Sequence, residues 1–198
     1  MRVLFIRKQF APTRETRTIV ILSGPPKAGK SRLRGDLGDL LRRMTDLNTY
    51  TLVTPPDMEG PWVSDSWRIS EERGAAAEEM AREYKRTVKE SGHFFSPQWV
   101  ERMARHVEGL SKWADILVLD LGGIPSEENR RIIAPALASG ADIIPIVLLG
   151  PDGNDGGWIQ FWRDLGYEPT VTTYSEDLAR NIINSIAKRF LLRRHAKS

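Results

Sequence analysis

The residues Gly24-Pro25-Pro26-Lys27-Ala28-Gly29-Lys30-Ser31 fill every specified position of the spacing G-x-x-x-x-G-K-[ST]. That spacing has a direct chemistry. Glycines at 24 and 29 let the backbone curl so that successive N–H groups face inward, toward a chain of phosphates. A helix beginning near Lys30 adds its partial positive N-terminus to the same place. Lys30 is expected to bridge the β- and γ-phosphates, and the Ser31 hydroxyl to ligate Mg²⁺. Pro25, Pro26, Lys27, Ala28 and Arg32 complete the expected nucleotide-binding set, Lys27 and Arg32 as sources of positive field. The competing reading is a chance loop of similar composition. A strand pattern before it and a helix pattern after it argue against chance.

Such a loop needs a second acid for the metal on a neighbouring strand. Ile116-Leu117-Val118-Leu119-Asp120 ends an apolar run in an aspartate, so Asp120 is expected to hold Mg²⁺ directly or through water, although a strand-end aspartate can also cap a turn. Asp115 opens the same strand at its far end and is expected away from the site. Asp57 and Glu59 follow the second strand, at the carboxyl edge where α/β sites form. Either could receive the proton of an attacking hydroxyl, and either could be part of a polar turn after Pro55-Pro56. Arg130 and Arg131 could neutralise charge on a transferred phosphoryl group, or be salt-bridged to a residue such as Glu127. His93, His106 and His195 show no ligand spacing. Trp158, Phe161 and Trp162 at helical spacing are expected in the core rather than under a base. The acidic loop from Gly150 to Gly157 is expected to be flexible and to stand where a base could be met.

The elements that must position these groups alternate. Strand patterns run over Arg17–Leu22, Asn48–Val53, Asp115–Leu121, Ile143–Leu149 and Thr170–Thr173. Helical periodicity runs over Lys30–Met44, with Leu33, Leu37, Leu40 and Leu41 three and four apart. It recurs over Ser70 to about Glu90, from Ser96-Pro97 with Val100, Met103, Val107 and Leu110 inward, and over Ser126–Ala138, Gly156–Leu165 and Ser175–Leu192. Alternation of this kind implies an α/β fold of three layers. A mostly parallel central sheet of about five strands carries helices on both faces, with a helical insertion before the strand that ends at Asp120. The expected organisation is an N-terminal extension over 1–16, one domain over 17–192 and a basic tail over 193–198. Within that domain, 54–112 is expected to be a loop plus a helical insertion or lid.

A chain of 198 residues is long enough to bury a real core. It has no cysteine, which excludes a disulfide scaffold, Cys-ligated zinc, an iron–sulfur cluster and thiol catalysis. Its apolar runs fall short of the roughly 20 residues that span a bilayer, and its start lacks a signal-peptide core. A soluble cytoplasmic protein without membrane attachment is the expectation. The formal net charge of +3 conceals a net of +8 over residues 1–43, −9 over 44–174 and +4 over 175–198. Basic ends around an acidic middle could bind nucleic acid, or the first third could simply hold phosphate.

Three segments are more specific: Pro56-Asp57-Met58-Glu59-Gly60-Pro61-Trp62, Gly92-His93-Phe94-Phe95-Ser96-Pro97 and Leu119-Asp120-Leu121-Gly122-Gly123-Ile124-Pro125-Ser126-Glu127-Glu128-Asn129. With the glycine loop they resemble the P-loop NTPases. More narrowly, they resemble the ATPase-type, kinase-like domain joined to CRISPR-associated ring nucleases that degrade cyclic oligoadenylates in type III antiviral systems. The nuclease domain itself has no counterpart in the short basic stretch 1–17. The resemblance implies ATP with Mg²⁺ as cofactor, and a ring nuclease as partner. Three functions follow as expectations. The first is Mg-dependent γ-phosphoryl transfer from ATP to water or to a small-molecule or nucleotide acceptor. The second is a regulatory nucleotide-binding module with little turnover, and the third a nucleic-acid or cyclic-oligoadenylate binder. No N-K-x-D guanine motif follows the fourth strand, where Gly150-Pro151-Asp152-Gly153 stands. Homo-oligomer formation is left open.

Overall fold

The computed structural model describes residues 17–44, 47–54, 97–122 and 124–195. The elements follow in the expected order. They are β1 (Thr18–Ser23), α1 (Lys30–Met44), β2 (Thr49–Val53), α2 (Pro97–Trp113), β3 (Ile116–Asp120), α3 (Glu127–Leu137), β4 (Asp142–Leu148), α4 (Trp158–Asp164), β5 (Thr170–Thr172) and α5 (Leu178–His195). The strands form one five-stranded sheet in the order β2-β3-β1-β4-β5. Every neighbouring pair is parallel, with Leu22 of β1 opposite Asp120 of β3 and Val53 of β2 opposite the same aspartate.

The alternation of side chains along β1 divides the interior. Ile19 and Ile21 point to one face, where they meet Trp99, Val100, Met103 and Val107 of α2, Ile132 and Ile133 of α3, and the aromatics of α4. Val20 and Leu22 point to the other, against Leu33, Leu37 and Leu41 of α1 and Ile182, Ile183 and Ile186 of α5. Strands buried on both faces are apolar throughout rather than alternating, which is why β1 and β3 look continuous in sequence. Pro145 lies inside β4 without stopping it. The ladder with β5 begins only at Ile146 opposite Thr170, so at Pro145 only β1 runs alongside.

Trp158, Phe161 and Trp162 are core residues, packed edge to face with centroids 5.1 and 5.6 Å apart. The indole N–H of Trp162 donates to Ser23 Oγ at 2.9 Å, and Ser23 Oγ donates to the Ile146 carbonyl at 3.0 Å, tying α4 to the ends of β1 and β4. Within the stretch 54–112, α2 is a core helix, with the inward residues expected. Trp99, Val100, Met103 and Val107 bury its apolar stripe against the sheet and α3. The remainder of that stretch, including the helix expected after Ser70, lies outside the described residues. No helix among the described residues is long and apolar enough to cross a membrane. One arginine of the basic C-terminal end is paired with the acidic middle, Arg189 with Asp142.

Candidate nucleotide site

The loop between β1 and α1 is shaped by two glycines whose places no other residue could take. Gly24 leaves β1 at φ +141°, and a Cβ there would come within 2.2 Å of the Leu148 carbonyl oxygen on β4. Gly29 has φ +92°, and its Cβ would stand 2.9 Å from Cβ of Tyr174. Between them Lys27 also lies in the left-handed region, at φ 65°, and the Ala28 N–H donates to the Pro25 carbonyl at 3.3 Å. Helix α1 starts at once, the Leu33 N–H donating to the Gly29 carbonyl at 2.9 Å.

Lys30 is buried, 9% exposed, with its ammonium inside the curl. Nζ donates to the Gly24 and Pro25 carbonyls at 2.7 and 2.8 Å. Burial lowers its pKa below the ordinary lysine value, and the nearby Asp120 carboxylate works in the opposite sense. Pro26, Lys27, Ser31 and Arg32 are exposed around this curl, while Ala28 is buried.

Asp120 closes β3 directly beside the loop and is 2% exposed. Its Oδ2 accepts from Ser31 Oγ at 3.5 Å, and Arg34 Nε approaches the same oxygen at 3.5 Å. Burial pushes the Asp120 pKa up to about 6, against the pull of Lys30, Arg34 and Ser31. A hydroxyl and a carboxylate this close are the hard-oxygen donors that Mg²⁺ accepts, its remaining positions being filled by phosphate and water. Among the described residues no group of three or more His, Cys, Asp or Glu could hold a metal ion.

The backbone of Asp120 is clamped as well. Thr54, fully buried just after β2, donates to the Asp120 carbonyl from its N–H at 3.0 Å and from its hydroxyl at 3.2 Å. The Thr54 carbonyl in turn accepts the indole N–H of Trp99 at 3.2 Å. Helix α2 thereby fixes where the chain leaves β2.

Two further loops flank the curl. The loop 150–157 packs on Pro25, where a Cβ on Gly150 or Gly156 would come within 3.1 and 3.4 Å of its ring. Its polar side chains bond nearby backbone. Asp152 Oδ1 accepts from the Asn154 N–H, Asn154 Oδ1 from the Gly156 N–H, and Asp155 Oδ2 from the Ile159 N–H at the start of α4. The Asp152 and Asn154 side chains bond the loop's own backbone, and that of Asp155 the first turn of α4. On the other side Tyr174 donates its hydroxyl to Asp36 of α1 at 2.7 Å, and Arg32 lies 4.8 Å from its ring centroid.

The structure thus brings together the loop 24–31, Lys30, Ser31 and Asp120. Arg32, by contrast, turns toward Tyr174 and stands 4.0 Å from Glu176. Arg130 is held on α3 and α4, bridging Asp164 at 3.3 Å and Glu127 at 4.0 Å over the Phe161 ring. Arg131 is exposed on the same helix. Asp57 and Glu59 lie outside the described residues. Asp115 is at the far end of β3, as expected. Sequence reasoning missed Arg34, although its spacing of three and four from Ser31 and Lys30 places all three along one side of α1. It also missed Tyr174 and Thr54, whose partners are distant in the chain.

No family model matches the chain, and no curated protein matches it. Solved structures match over most of its length at low identity. The APS kinase CysC of Mycobacterium tuberculosis is 14% identical, with 87% of this chain and 99% of that one covered, at a TM-score of 0.46. A shikimate kinase from Acinetobacter baumannii is 15% identical, with 90% and 96% covered, at 0.45. The tunicamycin resistance protein of Deinococcus radiodurans is 15% identical, with 87% and 95% covered, at 0.43. At these identities and scores the likenesses carry no functional weight, and nothing among them supports a tie to CRISPR ring nucleases. What the geometry itself establishes is an α/β fold: five parallel strands, helices on both faces, and a glycine-bounded loop between the first strand and the first helix.

Proposed function

We propose that this chain binds ATP with Mg²⁺ in the loop 24–31 and transfers the γ-phosphoryl group to a small-molecule acceptor or to water. The observation that carries this reading is the convergence of a buried Lys30, the Ser31 hydroxyl and the buried Asp120 on one glycine-bounded loop at the carboxyl edge of a parallel sheet. Mg²⁺, when bound, neutralises phosphate charge and orients the γ-phosphoryl group. Ser31 and Asp120 would hold it. Lys30 would leave the carbonyls of Gly24 and Pro25 for the β- and γ-phosphates, exchanging neutral acceptors for anionic ones. The loop's N–H groups would take the remaining phosphate oxygens.

In the transfer, the bond from the γ-phosphorus to the bridging oxygen of ADP breaks, and one from the acceptor oxygen forms. The acceptor's proton would pass to a carboxylate. Asp57 and Glu59 are offered for that role because the chain reaches them directly from Thr54, which is bonded to Asp120. Arg130 or Arg131 could neutralise transition-state charge, Arg130 only by giving up its partners on α3 and α4. A ring-nuclease partner or a regulatory role in antiviral signalling rests on the resemblance of the three sequence segments alone.

The test is nucleotide turnover. Wild-type protein with Mg·ATP should form ADP, with release of phosphate or with transfer to added hydroxyl-bearing acceptors. Lys30→Ala should lower the rate about 10²–10³-fold, the usual cost of removing one positioned charge from a transition state. Tight Mg·ATP binding with no ADP formed under any acceptor would sink the enzyme reading and leave nucleotide binding without turnover.

A further inference from the structure

Arg34 is a second cation at the site, and it approaches the very oxygen that the proposed metal would need. It follows Lys30 by four residues and Ser31 by three, so all three lie along one side of α1. Its Nε stands 3.5 Å from Asp120 Oδ2, and its side chain is 19% exposed against 3% for that of Asp120. Ser31 Oγ lies 3.5 Å from the same Oδ2. The Ser31 hydroxyl and the Arg34 guanidinium therefore both already face the oxygen that a divalent ion would meet on entry.

A carboxylate withdrawn from water needs a compensating charge, and removing that charge is costly. Arg34 supplies it. A Mg²⁺ ion bonds a carboxylate oxygen at about 2.0–2.1 Å, and a guanidinium nitrogen 3.5 Å from the same oxygen would repel it strongly in this poorly solvated place. Both cations cannot hold Oδ2 at once.

We propose that Arg34 is the resident counter-ion of the metal-free site, holding Asp120 in place and leaving Oδ2 when Mg·nucleotide enters. Metal binding is then an exchange of cations, and Arg34 sets the Mg²⁺ concentration at which the site fills. By linkage, whatever stabilises Asp120 without metal opposes the metal by the same amount. This inference rests on the reading of Asp120 as the metal acid.

The experiment is calorimetric titration of a non-hydrolysable ATP analogue across a series of MgCl₂ concentrations, together with melting temperatures in EDTA and in MgCl₂ plus analogue. Arg34→Met should need about fivefold to tenfold less Mg²⁺ for half-maximal binding, the equivalent of one partly buried ion pair. Its melting temperature should lie below wild type in EDTA, and the gap should close as Mg²⁺ and analogue are added. Arg34→Lys, which keeps a cation on the same helix, should fall between the two. An Arg34→Met protein with an unchanged Mg²⁺ requirement, or one that needs more Mg²⁺, would overturn the proposal. Asp120→Asn separates the two failures. Wild-type Mg²⁺ dependence in that variant would remove Asp120 as the metal acid, and the exchange with it. A weakened dependence there, beside an unchanged Arg34→Met, would overturn the exchange alone.

Discussion

Two aspartates bracket β3, and both are buried: Asp115 is 4% exposed and Asp120 is 2% exposed. Burial raises the pKa of each, so a hidden carboxyl does not by itself mark a site. The difference lies in what surrounds them. Asp115 Oδ2 accepts the Asn48 N–H at 2.9 Å, and the Asp115 N–H donates to the Asn48 carbonyl at 2.9 Å, with the Arg17 charge nearby. This side chain staples the start of β2 to β3, and main chain is its principal partner. Asp120 has its main chain clamped by Thr54, while among the described residues its carboxylate meets long contacts, at 3.5 Å, from a hydroxyl and a guanidinium. A carboxylate held in position but loosely bonded is one that a cation can complete. The same residue type is bonded mainly to main chain at one end of the strand and faces a hydroxyl and a guanidinium at the other.

The largest effect that would break this comparison is on nucleotide turnover. Asp120→Asn keeps the shape and removes the charge, so Mg-dependent turnover should fall about 10²–10³-fold. Asp115→Asn should stay within about twofold of wild type, because its end of the strand faces away from the loop. Rates for the two variants, measured side by side with equal folded fractions by circular dichroism, decide the matter. Comparable losses in both would mean that burial of either aspartate, not its surroundings, governs activity.

How much of this was legible in the chain follows from range. The loop 24–31, its flanking strand and helix, and Asp120 at the end of an apolar run are local patterns, and each lies where the spacing puts it. The core role of Trp158, Phe161 and Trp162 was local too, since three aromatics within five positions of one helix share a face. Arg34 was half legible. Its helical spacing from Lys30 is in the sequence, but that it meets Asp120 depends on β3 lying beside β1, which the chain order does not state. Tyr174 and Thr54 were not legible, because their partners, Asp36 and Asp120, are brought to them only by the folding of the sheet. Arg130 shows the converse. Its charge suggested chemistry, while Asp164 of α4, distant in sequence, had already engaged it.

A smaller effect concerns pH in the absence of metal. The unfolded chain gives up the Asp120 proton in the ordinary carboxylate range near 3.8, whereas the folded protein keeps it until about 6. Between those values the native state binds more protons, so stability falls as pH rises and levels off above about 6. The span corresponds to about 3 kcal/mol at most. Asp115 acts in the same direction, restrained by its Asn48 bond and by Arg17. Surface pairs such as Arg163 with Glu168 pull the other way, so the useful quantity is a difference between variants. Denaturant midpoints of metal-free wild type and Asp120→Asn should separate progressively from about pH 4 to pH 6, with the variant gaining relative stability. Asp115→Asn should show a weaker trend, and parallel curves for wild type and Asp120→Asn would refute the assignment.

The smallest effect sharpens the clamp rather than the carboxylate. Thr54→Val removes the hydroxyl that donates to the Asp120 carbonyl but keeps the volume, the backbone N–H bond and the carbonyl that accepts from Trp99. One of the two donors to that carbonyl remains, so no acceptor is left bare, and the loss of stability should be about 1 kcal/mol. Trp99→Phe removes the other end of the chain of bonds and leaves the Thr54 carbonyl, in a fully buried residue, without its indole donor. Its cost should exceed that of Thr54→Val, with the void left by the smaller ring adding to it. If Asp120 is positioned through its backbone, both variants should also raise the Mg²⁺ needed for nucleotide binding, Trp99→Phe more than Thr54→Val. A stability loss with no change in Mg²⁺ requirement would show that β3 alone holds the aspartate, and that the Thr54 contacts serve only to close the end of β2.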